Sequence, residues 1–181
     1  MADFNESSIE ALLEITKEEY NRGLEQSASI DTKVTISLPI ISALFLAIAD
    51  KNNCYSAIFD MTTSPSPLPI DQLIIPCIIF ILYTLALLLS AYATIYSVRA
   101  ILPRIFKALS PQHFYYEPLL KEEPYYIYIA IINSLFLAIE ANTKANRIKM
   151  ELYANGWLWA AISAFSYVMY DIIYNISMKG V

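Results

Sequence analysis

Few residues in this chain have types and spacings that could do chemistry, and they are scattered. Asp171 is the one ionisable residue between Leu152 and Met178. An ionisable group inside so apolar a run is costly to desolvate. It marks either a group that reaches the water interface or one that lines a pore or pairs across an oligomer. Arg99, Arg104 and Lys107 form a basic cluster after an uncharged run. Such a cluster serves as a topological anchor or as a pocket for an anionic lipid or phosphate ligand. His113 stands alone among Phe114, Tyr115 and Tyr116, with no Ser, Cys or Asp partner in a catalytic pattern. Cys54 and Cys77 are 23 residues apart (77 − 54), so they form no CxxC pair, and two cysteines alone do not complete a tetrahedral zinc site. There is no Gly-rich phosphate loop, HExxH or GxSxG. No enzymatic activity, cofactor or metal is therefore expected.

The elements that must position these residues are apolar helices. Hydrophobic residues make up 57% of the 181 positions and charged ones 16%, against about 45–50% and about 25% in soluble domains. The mean hydropathy is +0.46. Three glycines in the whole chain argue against a turn-rich β protein. The ionisable residues are absent from Val34–Ala49 and from Gln72–Val98, and Leu152–Met178 holds Asp171 alone. A helix needs about 20 apolar residues to cross the hydrocarbon core. The second and third runs meet that length. The first is short and is completed by Ser29, Ile30 and a snorkelling Lys33.

The expected fold is all-α and polytopic, with three transmembrane helices and a cytoplasmic helical bundle. Its parts are a cytoplasmic amphipathic helix (1–33), a first span (34–49), an extracytoplasmic loop (50–71), a second span (72–98), a cytoplasmic connector and helix (99–151) and a third span (152–178). Pro124–Ile139 is a candidate fourth span. Lys and Arg concentrate on the cytoplasmic side of membrane proteins. Three spans with the N-terminus inside place ten of the twelve Lys and Arg in the cytoplasm, whereas four spans place eight there. Three spans are therefore preferred. The opening Met-Ala-Asp-Phe-Asn-Glu has the pattern of neither a signal peptide nor a myristoylation site, so insertion is expected to rely on the first span.

Within the cytoplasmic parts, Ser7-Ser8-Ile9-Glu10 has the form of a capping box. Ile9, Leu12, Leu13, Thr16 and Tyr20 follow at helical spacing, with Glu14 and Glu18 on the other side as a solvated face or a docking surface. Further on, Ile129, Ile132, Phe136 and Ile139 form an apolar stripe, and Asn133, Glu140, Lys144 and Arg147 share another face. This helix could run unbroken into the third span, because Gly156 is the only breaker. Tyr167, Tyr170 and Tyr174 fit an interfacial aromatic belt, with Trp157 and Trp159 as the opposite one. Pro39 in the first span is a tolerated proline or a hinge.

Glu18-Glu19-Tyr20-x-Arg22 followed by Ile30-Asp31-x-Lys33 leads straight into the first span. A second span, Asn142-x-Lys144 in a cytoplasmic helix, and a final apolar helix come after. This arrangement resembles the SLATT proteins and the transmembrane effectors of Pycsar systems, small membrane effectors of bacterial antiphage defence. The resemblance implies a protein of the inner membrane that self-associates and breaches the bilayer on a signal, causing abortive infection. It implies a homo-oligomer, and either a cyclic nucleotide or a cytosolic defence protein as the trigger. Arg99, Arg104, Lys144 and Arg147 would then be the cations for a phosphate. Asn133, Asp171 and Asn175 would be the polar groups for a pore or an oligomer contact. No nucleic-acid binding is expected. Two other readings compete. One is a membrane anchor or sensor subunit docking a cytosolic partner. The other is a small channel or transporter, for which no inverted repeat is visible.

Overall fold

The computed structural model describes residues 6–50, 70–102 and 124–179. Three α-helices account for nearly all of them: α1 (Glu6–Ala49), α2 (Ile70–Ile101) and α3 (Pro124–Lys179). No strand occurs among the described residues. Each helix is long and apolar enough to cross a bilayer. Most of the loop at 50–71 and the connector after Leu102, with Cys54, Arg104, Lys107 and His113, lie outside the described residues.

The helices persist because the sequence offers them little to stop on. Ser7 lies within α1. Pro39 and Pro76 are carried within α1 and α2 without ending either. Gly156 does not interrupt α3. Hydroxyls that would otherwise be unsatisfied in apolar surroundings bond to carbonyls of their own helix. Thr16 donates to Leu12 at 2.7 Å, Ser90 to Leu87 at 2.8 Å and Ser97 to Ala93 at 2.9 Å. Such back-bonding lets Ser and Thr occupy a helix where water cannot serve them.

Burial follows one rhythm. Along α1 the inward positions step alternately by four and three: Ile9, Leu13, Thr16, then Ser27, Ile30, Val34, Ser37 and Ile41, with half-buried Tyr20 and Gly23 filling the gap. On α2 the run is Ile79, Tyr83, Ala86, Ser90, Ala93, Ser97 and Ala100. From Leu135 onward α3 keeps the same steps through Ala138, Asn142, Ala145 and Lys149. A period of 3.5 is that of a coiled-coil seam. It keeps Ile132 of the stripe read from the sequence on α3 and corrects Phe136, which is exposed, while Leu135 and Ala138 face inward.

The chain divides into two compact units. In the first, built from described residues 6–33, 102 and 124–150, α1 and α3 run parallel. Ile9 and Leu13 cluster with Ile132 and Leu135, backed by Tyr20, Tyr125, Tyr128 and Ile131. In the second, built from 34–50, 70–101 and 151–179, α2 runs antiparallel to the other two. Ile41 meets Ala93 and Ala160, and Ile48 meets Ile79, Tyr83 and Tyr170.

The second unit is apolar outside, and its interior mixes Ile, Ala and Tyr with serines. Ser37, Ser90, Ser97, Ser163 and Ser166 are buried, while Ile36, Leu46, Ile81, Leu88, Phe165 and Val168 are more than half exposed. Its helices approach closely on small residues. A Cβ added at Gly156 would stand 2.8 Å from Ser97 Oγ. Ser163 donates to the Ala86 carbonyl at 2.7 Å, and Tyr83 donates to the Ile48 carbonyl at 3.0 Å. Tyr167, Tyr170 and Tyr174 form a ladder with ring centroids 5.8 Å apart at each step. Tyr170 also packs 5.4 Å from Tyr83 and is buried. This corrects the belt read from sequence: Tyr170 belongs to the core of the unit, not to its outer surface.

Candidate functional site

The most chemically distinctive place is a polar seam in the first unit. Ser27 and Asp31 are four residues apart, so they share one face of α1. Asn142, Asn146 and Lys149 are spaced by four and three, so they share one face of α3. Where the two faces meet, Lys149 Nζ donates to Asp31 Oδ1 at 2.7 Å, to Asp31 Oδ2 at 2.9 Å and to Ser27 Oγ at 3.3 Å. The Lys149 side chain is only 3% exposed, whereas that of Asp31 is 44% exposed. The ammonium is therefore taken out of water while its counterion keeps one edge in it. Nearby, Asn146 Nδ2 donates to the Gly23 carbonyl at 2.8 Å. Asn146 Oδ1 is buried and accepts no hydrogen bond among the described residues. Asn142 is buried on the same face.

An ammonium clamped by a carboxylate and a hydroxyl is a fixed charge. Its three donors are used, and burying it unpaired would cost several kcal/mol. Its chemical capacity is thus to hold two helices in one relation. Sequence reading missed Lys149, which it counted only as a cytoplasmic charge. The signal was present: Asn142, Asn146 and Lys149 recur at the spacing of a buried stripe, and so do Ser27 and Asp31.

No family model, curated protein or solved structure matches the chain.

The residues singled out in the sequence fall in different places. Lys144 and Arg147 lie on the exposed side of α3 in the first unit, opposite to the seam, with Asn133 also exposed there. Arg99 is exposed near the end of α2 in the second unit. Arg104 is outside the described residues. Asp171 and Asn175 come together within one turn of α3. Asn175 Nδ2 donates to the Asp171 carbonyl at 2.8 Å and to its Oδ2 at 3.2 Å. Both are half-buried. An amide donating to a carboxylate four residues back lessens the cost of a charge in an apolar helix. Cys77 is a free, exposed thiol, and no cluster of three or more His, Cys, Asp or Glu occurs among the described residues.

Proposed function

We propose that this protein is a multi-pass effector of the bacterial inner membrane, with its first unit and N-terminus in the cytoplasm. In this reading it acts in antiphage defence. A nucleotide signal or a partner protein reaches the cytoplasmic helices, and the chain then oligomerises and permeabilises the bilayer. The observation that carries the membrane part is the apolar exterior of the second unit, around an interior that holds its serines. A helical bundle with serines inside and Ile, Leu, Phe and Val outside would aggregate in water. It suits a solvent of acyl chains, in which small residues let helices approach and hydroxyls bond across them. The defence role is supported by the resemblance to SLATT proteins and Pycsar effectors. Two of the stretches that carry the resemblance, around Asp31 and Asn142, contribute to one polar seam.

The test is induced expression in bacteria with a potential-sensitive dye, alone and with the genes that neighbour this one, before and after phage challenge. The reading expects depolarisation that depends on the trigger. An unchanged potential under every one of these conditions would contradict it.

A second reading, an anchor that docks a cytosolic protein, is favoured by one feature of α1. Leu12 and Ile15 are 44% and 61% exposed on a helix that also exposes Glu10, Glu14, Glu18 and Glu25. A pull-down comparing the parent with a Leu12→Lys/Ile15→Lys variant separates the two. Loss of a co-purifying partner with depolarisation retained would point to docking.

A further inference from the structure

A seam repeating every 3.5 residues looks alike from one heptad to the next. Ile9, Thr16, Gly23 and Ile30 are successive equivalents on α1, as Leu13, Tyr20, Ser27 and Val34 are. Sliding α1 by seven residues along α3 would still set seam residue against seam residue. The Asn146 bond would not oppose this, because a helix offers another carbonyl at every turn. Something must therefore choose among registers when α1 and α3 associate.

We propose that the Asp31–Lys149 pair is that device: a register lock for the parallel α1–α3 seam of the first unit. Lys149 is 3% exposed in the observed register, and an ammonium held at that seam position needs a partner from the seam. In the observed register the partners are Asp31 and Ser27. A slide of seven residues one way replaces them with Leu24 and Tyr20. A slide the other way replaces them with Leu38 and Val34. None of these four carries a carboxylate. The glutamates of α1 at 10, 14, 18, 19 and 25 lie at exposed positions, off the seam. A single polar residue at a seam position is known to specify register in coiled coils, at some expense of stability. The lock is independent of whether the protein permeabilises membranes.

The experiment is disulfide cross-linking of full-length protein in native membranes, with Cys54 and Cys77 replaced by Ser. Cysteine at 146 is paired in turn with cysteine at 23 for the observed register, and at 16 or 30 for the slipped ones. Each pair is placed in the parent, in an Asp31→Leu/Lys149→Met variant, and in an Asp31→Leu/Leu24→Asp variant. The lock predicts only the 23–146 link in the parent. The neutral variant should show the 16–146 and 30–146 links at yields comparable with 23–146. Moving the carboxylate one heptad back should raise 16–146 above 30–146. The 23–146 link alone in both variants would overturn the proposal. Loss of all three links in the neutral variant would also overturn it, since an apolar pair should leave the seam closed. Depolarisation is not the readout, so failure here is distinct from failure of the effector reading.

Discussion

Replacing Gly156 tests how closely α2 and α3 are packed in the second unit. An ideal Cβ there would stand 2.8 Å from Ser97 Oγ and 3.5 Å from the Ala93 carbonyl. Ser97 is 1% exposed, and its hydroxyl donates to Ala93 at 2.9 Å. Rotating it away would sacrifice that bond, and parting the helices would loosen the flanking Ala93–Ala160 contact. Gly156→Ala gains about 1 kcal/mol of helix propensity and loses about 1–3 kcal/mol to overpacking. The net expectation runs from no change to about 2 kcal/mol of destabilisation. Gly156→Leu adds three more carbons to the same gap and should cost at least about 3 kcal/mol. Ser97→Ala removes the opposing oxygen. The Ser97→Ala/Gly156→Ala double variant should therefore recover the stability of the parent, with a coupling of about 1 kcal/mol between neighbours. Unfolding in mixed micelles, followed by far-ultraviolet circular dichroism, gives all four values. A Gly156→Leu variant as stable as the parent, or strictly additive alanine variants, would refute the close crossing.

Other contacts have smaller expected effects. Tyr83→Phe removes the hydrogen bond to the Ile48 carbonyl and leaves the ring against Tyr170, so it should cost about 1 kcal/mol in the same assay. Ser163→Ala loses the bond to Ala86 and should cost about 0.6 kcal/mol, the usual size for such bonds inside membranes. Asp31→Asn strands a buried ammonium and should destabilise the protein by about 2–3 kcal/mol, below the upper range for buried pairs because Asp31 is partly exposed. Asp31→Leu/Lys149→Met removes both charges and should cost less than Asp31→Asn alone, which a thermal melt in detergent would show.

The long apolar helices were legible from sequence because ionisable residues are missing from two stretches and reduced to Asp171 in a third. Charge density is a coarse property that survives without knowledge of packing. The inward faces were harder to read. On α3 the choice of Phe136 as a core residue followed size and hydropathy. On this stretch Phe136 and Leu137 are both more than half exposed, so those properties do not separate core from surface there. The useful signal was smallness: Ala86, Ser90, Ala93, Ser97 and Ala100 recur at steps of four and three, and they mark where backbones approach. Tyr170 misled for a related reason. Three tyrosines near the end of a span suit an interfacial belt, but a partner ring on α2, Tyr83, draws one of them into the core. Lys149 was hidden by its type. A lysine is almost always solvated, and only its phase relative to Asn142 and Asn146 distinguishes it from Lys144 and Arg147.

The three crossings are tested most directly by sidedness. Single cysteines are placed at Glu18, at Lys144 and after Val181, with Cys54 and Cys77 replaced by Ser. Intact cells are treated with a membrane-impermeant maleimide, before and after permeabilisation. Three crossings with the N-terminus inside predict that the C-terminal cysteine reacts in intact cells, and that positions 18 and 144 react only once the membrane is opened. Labelling of position 18 and the C-terminus from the same side, or release of the protein from membranes by alkaline carbonate, would contradict the account.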